Sequence, residues 1–321
     1  MNHSVRQLWK GIAVAAACAL VTAAVLGTVQ TKGKKKRPST AVSSLKKATA
    51  KAKSTSVPSD STGAPHRAID SVAVRTKPVQ QTPFQFRKVT NGAFSVGERL
   101  VFDVSYGYIT AGEAVMAIPA FEEVMGRKCY HVDFTVNSLP SFSWIFKVED
   151  HYLTCIDAES IAPLKFEQHI REGTYQRDFV AEFDQEHHIA RTTEGQYPIP
   201  EYVHDIMSAF YYFRTLDFSN SKPGDEFTLF NFYKDTSYEL AVRFLGRREQ
   251  EVAAGTFNTI VVEPLVKEGG LFKSEGRIVI WLSDDDLKIP VRVNTKVVIG
   301  SIDTELREYS GLSGELRSRI K

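Results

Sequence analysis

The sequence predicts an all-β fold in which a strongly curved antiparallel sheet, or an open β-barrel, encloses one buried helix. From Gly92 onward, apolar and polar residues alternate with a period of two, which is typical of half-buried strands. Turn residues such as Pro223-Gly224 separate these runs every ten to fifteen residues or so, at roughly the spacing of antiparallel all-β proteins. A single stretch, Asp205 to Arg214, breaks the alternation and is apolar nearly all round a helical circumference.

The N-terminal segment differs in charge and hydropathy from everything after it. Residues 1–90 carry 16 basic and 2 acidic residues, whereas residues 91–321 carry 24 basic and 36 acidic residues. The uncharged run Gly11 to Val29 follows Arg6 and Lys10. At about 1.5 Å per helical residue, this run could cross a hydrocarbon layer of about 30 Å. We therefore predict a signal anchor or signal peptide over residues 1–31.

The fate of this segment and the side of the membrane that holds the body stay open. A convincing small-x-small cleavage site is missing before Lys32, which favours an uncleaved anchor over a cleaved signal peptide or a buried core helix. The basic run Lys32–Arg37 alone would keep the body in the cytoplasm. A β-rich body instead favours export. The sequence thus predicts a cell-envelope protein anchored in the inner membrane with its body in the periplasm, or else secreted to the periplasm after cleavage.

Residues 32–91 are predicted to form a disordered basic linker. They are rich in Lys, Ser, Thr, Ala and Pro, and aromatic residues are missing between Lys32 and Pro83. Such a segment cannot bury enough apolar surface to offset its ordering entropy. The polybasic Lys32–Arg37 is predicted to contact the membrane through anionic lipid head groups. Binding to nucleic acid is not predicted, because aromatic residues are not interleaved with the charges.

Residues 92–312 are predicted to form the β-rich domain, followed by a basic tail over residues 313–321. Each candidate strand has the length and alternation of an antiparallel strand with one apolar face. The candidate strands are Leu100–Tyr106, Glu113–Ile118, Tyr130–Val136, Asp150–Ile156, Leu164–Arg171, Tyr175–Phe183, His187–Thr193, Glu226–Phe232, Tyr238–Leu245, Thr256–Val266, Gly276–Leu282, Val291–Val298 and Ile302–Tyr309.

The predicted helix begins after Asp205, a residue type that caps helix starts. Met207, Phe210, Tyr211 and Arg214 share one face at 3.6 residues per turn, but further aromatic residues lie elsewhere on the cylinder. A helix of this kind must be buried on most sides, which a sheet curled around it would achieve. The interior of such a barrel is either filled by side chains or holds a ligand.

Three stretches carry a resemblance to a known family. They are Val96–Ala114, Asp205–Arg214, and the region from Leu287–Val293 through Gly300–Ile302 to Leu306–Tyr309. Together they resemble the bacterial envelope family catalogued as domain of unknown function 3108, over roughly residues 93–312. The resemblance implies a secreted or periplasmic β-rich domain and supplies no catalytic residues.

Patterns typical of enzymes and metal sites are missing from the sequence. The histidines form no H-E-x-x-H pair, and His187-His188 on a strand would point to opposite faces. A G-x-S-x-G nucleophile motif is absent, and the adjacent acids Asp284–Asp286 fit a solvated turn. We predict no enzyme activity, no cofactor and no metal. Cys129 and Cys155 are read as buried thiols, as a disulfide, or as a reactive cysteine, and the sequence leaves these alternatives open.

Aromatic residues are numerous for one core, so they either fill the barrel interior or form a binding surface for a ligand or partner. The predicted function is a membrane-tethered carrier or binder of an apolar envelope molecule, a lipid or glycolipid. The alternative is a structural subunit of an envelope assembly, with protein partners and no ligand. The candidate ligand-binding residues are Phe142, Trp144, Phe146, Phe210 and Tyr211 for the apolar part, and Arg214 and Arg292 for an anionic head group.

Overall fold

The computed structural model describes residues 84–265, 277–297 and 300–321 of the chain. It confirms the predicted all-β class: fourteen antiparallel strands form one sheet. The strands are β1 (Arg99–Tyr106), β2 (Ile109–Val124), β3 (Arg127–Ser138), β4 (Glu149–Asp157), β5 (Pro163–Glu172), β6 (Tyr175–Asp184), β7 (Ile189–Thr192), β8 (Gly195–Pro198), β9 (Glu226–Tyr233), β10 (Thr236–Val252), β11 (Gly255–Leu265), β12 (Ile278–Ser283), β13 (Pro290–Lys296) and β14 (Ser301–Ser310).

The first strand, β1, lies in the interior of the sheet, and the later strands are added first on one side of it and then on the other. Strands β1 to β8 follow one another to one edge, and β9 to β14 return from the other edge until β14 pairs with β1. Each of the thirteen predicted strands corresponds to an observed one. The short edge strand β8 was not predicted, because Gly195–Pro198 is too short and too rich in turn residues to show alternation.

The sheet is curled but not closed. In the described part of the chain, edge strand β9 pairs not with β8 but with a single residue, His204, in a parallel bridge. His204 N donates to Phe230 O at 2.8 Å, and Phe232 N donates to His204 O at 2.7 Å. The Phe232 ring lies 5.7 Å from the ring of Phe183 on β6 and 6.1 Å from that of Tyr197 on β8. We call this line of contact between β6–β8 and β9 the seam.

The predicted buried helix is confirmed as α2 (Ile206–Arg214), with Asp205 as its N-cap. The Asp205 carboxylate accepts hydrogen bonds from Met207 N at 2.8 Å and Ser208 N at 3.0 Å. Six of the nine residues of α2 are buried, as expected for a helix enclosed by the sheet: Met207, Ser208, Ala209, Tyr211, Phe213 and Arg214. A shorter helix, α1 (Pro140–Ser143), follows β3.

A buried ion pair fixes the end of α2. The Arg214 guanidinium donates to both carboxylate oxygens of Glu98 at 2.7 Å, to Ala93 O at 3.0 Å and to Leu287 O at 3.1 Å. Arg214 and Glu98 are both almost fully shielded from solvent. A bidentate pair with its remaining donors satisfied is the arrangement in which a buried charge is tolerated. It ties the helix to the segment before β1 and to the β12–β13 connection.

Both ends of the described body extend beyond the boundaries expected from sequence. Residues 84–91 fall in the predicted linker, yet Arg87 lies between the rings of Tyr202 (4.2 Å) and Tyr212 (4.4 Å) and donates to Ser160 O at 2.9 Å. In the predicted basic tail, Ile320 N donates to Thr256 O at 2.9 Å. Composition averaged over a window cannot register a few specific contacts of this kind.

The predicted span Gly11–Val29 and the polybasic Lys32–Arg37 lie outside the described residues. Within the described ranges, none of the helices has the length and apolar character needed to cross a membrane.

Candidate functional site

A small pocket opens at the seam, beside the start of α2. Its volume of about 20 Å³ is room for one water molecule. The residues that line this seam pocket come from β5, β6, α2, β9 and the β9–β10 turn: Phe166, Gln168, Arg177, Phe179, Phe183, Ile206, Asn231, Phe232, Tyr233 and Lys234.

Strands β5 and β6 supply the apolar wall of the pocket. Their register places Gln168 opposite Phe179 and Phe166 opposite Ala181, so these side chains share the inner face of the sheet. The Phe166 and Phe179 ring centroids are 6.4 Å apart. Alternation along both strands therefore builds an aromatic surface that faces β9 across the seam.

Two cations border this aromatic surface. The Arg177 guanidinium lies 5.1 Å from the Phe179 ring and 5.8 Å from the Tyr233 ring, and its Nη2 is 3.3 Å from a carboxylate oxygen of Glu194. Lys234 Nζ lies 5.2 Å from the Tyr233 ring. Cations held over aromatic faces keep their charge close to apolar surface. The pocket thus combines an apolar wall with positive charge.

One buried acceptor in the pocket lacks a donor. Asn231 Nδ2 donates to His204 O at 3.1 Å, but Asn231 Oδ1 has no hydrogen-bond partner among the described residues. A buried amide oxygen left unpaired is unfavourable by about 1–3 kcal/mol. A water or a ligand donor in the seam pocket would remove this penalty.

His204, next to the seam, is held neutral. Burial, and then the positive charge of Arg87, lower the pKa of His204 to about 3. Arg87 Nη2 lies 3.3 Å from His204 Nε2, and Ser208 Oγ lies 3.3 Å from Nδ1. Because arginine can only donate, Nε2 accepts and Nδ1 carries the proton. His204 therefore serves the seam through its backbone bonds to β9 rather than as a proton donor near neutral pH.

A pair of buried acids lies on the inner face of β4 and at the end of β5. Asp150 Oδ1 accepts from Arg171 N at 2.8 Å, and the Asp150 and Glu172 carboxyl groups are hydrogen-bonded to each other through the proton that one of them carries. Burial raises the pKa of Asp150 to about 6, and burial together with the charge of Asp150 raises the pKa of Glu172 to about 9. The two carboxyl groups therefore share one proton near neutral pH.

The sequence profile of the family described as "Protein of unknown function (DUF3108)" matches residues 101–307. The chain belongs to this family. The match starts within β1 and ends within β14, so the DUF3108 domain contains the seam pocket, the acid pair and α2. The resemblance found in the sequence is thereby confirmed. No functionally curated protein matches the sequence at a significant level.

Solved structures match this chain at low sequence identity and with TM-scores below 0.5. A β-barrel-like DUF1849 protein from Brucella abortus is 10% identical, with a TM-score of 0.44 over 70% of this chain and 99% of its own. A protein described as exported, with a YmcC-like fold, from Bacteroides fragilis is 11% identical (TM-score 0.33; 70% and 100% covered). A protein described as a lipoprotein, from Parabacteroides distasonis, is 13% identical, with a TM-score of 0.32 over 70% of this chain and 100% of its own.

The DUF3108 domain does not bring the predicted site residues together. Tyr211 is fully buried with its ring 4.8 Å from that of Phe94, Phe210 is half-buried, and Arg214 is committed to Glu98. Arg292 contacts Asp303 at 2.6 Å and Glu305 at 3.3 Å on β14. None of them lines the seam pocket. Their contact with a ligand stays a prediction, and the geometry of Arg214 favours a structural role.

The aromatic segment around α1 is divided between surface and core. Trp144 is 79% exposed, whereas Phe146 packs over Gly173 in the β5–β6 turn, and Phe142 is half-buried. Of the alternatives for the cysteines, the structure shows two free buried thiols at Cys129 and Cys155.

Sequence reasoning missed the residues that define the pocket and the acid pair. Arg177, Lys234 and Glu172 each stand in an ordinary strand or turn context, and only strand pairing brings them near their partners. Alternation along the candidate strands was the available signal, since it already placed Phe166 and Gln168 on one face.

Proposed function

We propose that this DUF3108 protein is a non-catalytic, membrane-tethered envelope module that binds an amphiphilic molecule with an acidic group at the seam. The observation that carries the proposal is the seam pocket. There, an aromatic wall and two cations meet at the one line where the described part of the sheet is not joined strand to strand. Such an arrangement suits an apolar chain on Phe166 and Phe179 and an anionic group on Arg177 and Lys234.

Ligand entry requires the seam to open, because about 20 Å³ admits a water but not an acyl chain. Between β9 and the His204 segment there are two backbone hydrogen bonds, each worth about 1 kcal/mol net. The other described contacts there involve side chains, as between the rings of Phe183 and Phe232 and in the hydrogen bond from Asn231 Nδ2 to His204 O. Separation of these elements therefore disrupts few backbone bonds and would widen the existing pocket along the aromatic wall.

The composition of the pocket supports binding rather than catalysis. Its titratable groups are Arg177, Tyr233 and Lys234, and its lining contains no carboxylate, histidine or cysteine. General acid–base or nucleophilic chemistry would need such groups within hydrogen-bond reach of one another. The N-terminal apolar run and the family resemblance support membrane tethering and an envelope location, which would keep the pocket near amphiphilic ligands.

Photolabelling of the full chain in membranes tests this proposal. A fatty acid carrying a diazirine should label peptides of β5, β6 or β9, and the matching fatty alcohol should label them less. Arg177→Gln with Lys234→Gln removes two charge-assisted contacts and should reduce fatty-acid labelling by about tenfold or more. Lys222→Gln removes an exposed charge outside the pocket and is the matched control. Labelling that is equal in the unsubstituted chain, the double variant and the Lys222→Gln control argues against the seam site, as does labelling of peptides outside β5, β6 and β9.

An assembly subunit without a ligand remains the second candidate, and one observation favours it. Trp144, Tyr108 and Ile109 are all exposed large apolar side chains. Their segments are joined, because Leu139 N donates to Ala111 O at 2.9 Å. Exposed apolar clusters mark interaction surfaces. A Trp144→Ser variant should shift the native mass of the membrane-extracted complex if this surface holds a partner, and it should leave fatty-acid labelling unchanged.

A further inference from the structure

The outer face of β2, β3 and β4 carries a cluster of four potential metal ligands, remote from the seam pocket lining. In the strand register, Glu122 lies opposite Cys129 and His131 lies opposite Cys155. Residues opposite each other on paired strands point to the same face. The four side chains therefore form one patch, which we call the Glu-Cys-His-Cys cluster.

The donor atoms of this cluster converge. Glu122 Oε1 lies 2.7 Å from His131 Nδ1, and Glu122 Oε2 lies 3.3 Å from Cys155 Sγ. One ligand atom each from Glu122, His131 and Cys155 falls within 4.8 Å of the other two. The Cys129 thiol is hydrogen-bonded to that of Cys155 and lies 3.5 Å from Glu122 O. Three ligand atoms of three chemical types thus face a common point, and the Cys129 thiol lies beside them, next to Cys155.

The existing contacts leave one ligand atom of the cluster, His131 Nδ1, without a hydrogen bond among the described residues. The close contact between His131 Nδ1 and Glu122 Oε1 lacks the alignment of a hydrogen bond, so Nδ1 is buried without a partner among the described residues. Both thiols are buried, with Val124 and Leu164 packed against them, whereas Glu122 is partly exposed. An ion could therefore enter past Glu122 and be shielded from water on the thiol side.

The strand register favours an ion over a disulfide. Cys129 pairs with Asp157 and Cys155 pairs with His131, so the two cysteines are diagonal neighbours. Diagonal neighbours have Cα atoms about 7–8 Å apart, whereas a disulfide usually joins Cα atoms about 4.4–6.8 Å apart. A tetrahedral ion with bonds of about 2.0–2.3 Å holds its ligand atoms about 3.3–3.8 Å apart. It could therefore join the two sulfur atoms without bringing the two Cα atoms as close as a disulfide requires.

We propose that Glu122, Cys129, His131 and Cys155 form a tetrahedral zinc site that clamps β2, β3 and β4 together. Two thiolates, one imidazole nitrogen and one carboxylate oxygen are ligands that Zn²⁺ accepts. Four protein ligands leave no open coordination position, so the site is structural rather than catalytic. Metal binding would stabilise the fold, because the unfolded chain does not hold these ligands together.

Metal titration of the full chain tests the site. Cys18→Ser is introduced throughout so that Cys129 and Cys155 are the only thiols. The chain is stripped with a chelator under reducing conditions and titrated with Zn²⁺ against a chromogenic chelator. One equivalent should bind, and Cys155→Ser, Cys129→Ser and His131→Gln should each weaken binding by about 100-fold or more.

The same strands offer a matched control. His151 Nε2 lies 3.2 Å from Asp133 Oδ1 on the same outer face, in a histidine–carboxylate pair whose partners include no thiol. His151→Gln should leave Zn²⁺ affinity unchanged. Co²⁺ added to the unsubstituted cluster should give the thiolate-to-metal absorption of a tetrahedral site, a result that does not depend on how well any variant folds.

Several outcomes would overturn the proposal. They are a Zn²⁺ affinity that is the same with and without Cys155, an equal loss in His151→Gln, and a Co²⁺ spectrum without thiolate bands. Recovery of a Cys129–Cys155 disulfide that persists in the reduced, metal-titrated chain would also overturn it. None of these results bears on fatty-acid labelling at the seam.

Discussion

The buried acid pair predicts an unusual dependence of stability on pH. Near neutral pH, folded Glu172 keeps a proton that the unfolded chain releases, because the pKa of Glu172 rises from 4.5 to about 9 on folding. The folded state therefore binds more protons than the unfolded state between these values. The contribution of Glu172 to the free energy of unfolding should fall as pH rises through this window, by up to about 1.4 kcal/mol per pH unit.

Replacing Glu172 with Gln should remove this dependence. Glutamine stays neutral and can donate a hydrogen bond to Asp150, as the protonated Glu172 does. From pH 4.5 to pH 7 the linkage amounts to about 3 kcal/mol. Glu172→Gln should therefore be more stable than the unsubstituted chain at pH 7–8 by up to this amount, and nearly equal at pH 5.

Urea unfolding of the full chain in detergent, at intervals from pH 5 to pH 8, measures the effect. Glu149→Gln is the matched control, because it removes the same charge from a half-exposed carboxylate 2.8 Å from Lys147. Its unfolding curve should keep the pH dependence of the unsubstituted chain. If Glu172→Gln and Glu149→Gln show the same slope with pH, or if Glu172→Gln is less stable at pH 8, the shared-proton interpretation is wrong.

Three further predictions concern the helix and the seam. Glu98→Gln leaves Arg214 buried without its counter-charge and should lower the free energy of unfolding by about 3–5 kcal/mol. The double variant Glu98→Leu with Arg214→Met removes both charges and should lower it less. Urea denaturation measures both effects. Asp205→Ala removes the N-cap of α2 and should lower stability by about 1–2 kcal/mol in the same assay. Burial lowers the pKa of His204 to about 3, so the contribution of His204 to stability should fall as pH drops from 6.5 towards 3. The variant His204→Gln should lose this contribution to the pH profile.

Local sequence patterns sufficed for the elements of this fold. Alternation with a period of two located thirteen of the fourteen strands, and the all-round apolar character of Ile206–Arg214 identified the enclosed helix. Both signals are local, because they depend only on which face of an element is buried. The strand order depends instead on long-range pairing, because β1 lies between β2 and β14. No local pattern in the sequence indicates that pairing.

The candidate sites needed the register as well as the elements. Asp150 and Glu172 are 22 positions apart in sequence, whereas the acid adjacent to Asp150 in sequence is Glu149. Alternation sends Glu149 outward and Asp150 inward, so the adjacent residues are separated and the distant ones meet. Arg214, one of the two arginines predicted to bind a head group, is a case in which the fold removes a predicted site residue. Arg214 looked like a cation on a helix face, but its pairing with Glu98 could not be seen without the fold.

The Glu-Cys-His-Cys cluster was hidden from the sequence by one irregularity in β2. Alternation counted from the buried Ile118 would turn Glu122 inward, but the register shifts by one residue between Ala117 and Ala120, and Glu122 comes to face outward opposite Cys129. Pro119 lies in this bulge, where its missing N–H is tolerated.

Deletion of Pro119 should therefore regularise β2 rather than destroy the cluster. With the extra residue gone, the ladder runs in register from Ala117 onward, and Glu122 still lies opposite Cys129. Zn²⁺ affinity should stay within about tenfold of that of the unsubstituted chain in the same chelator competition. A loss of about 100-fold, with the far-ultraviolet circular dichroism spectrum unchanged, would show that the bend of the bulge, and not the strand register, positions Glu122.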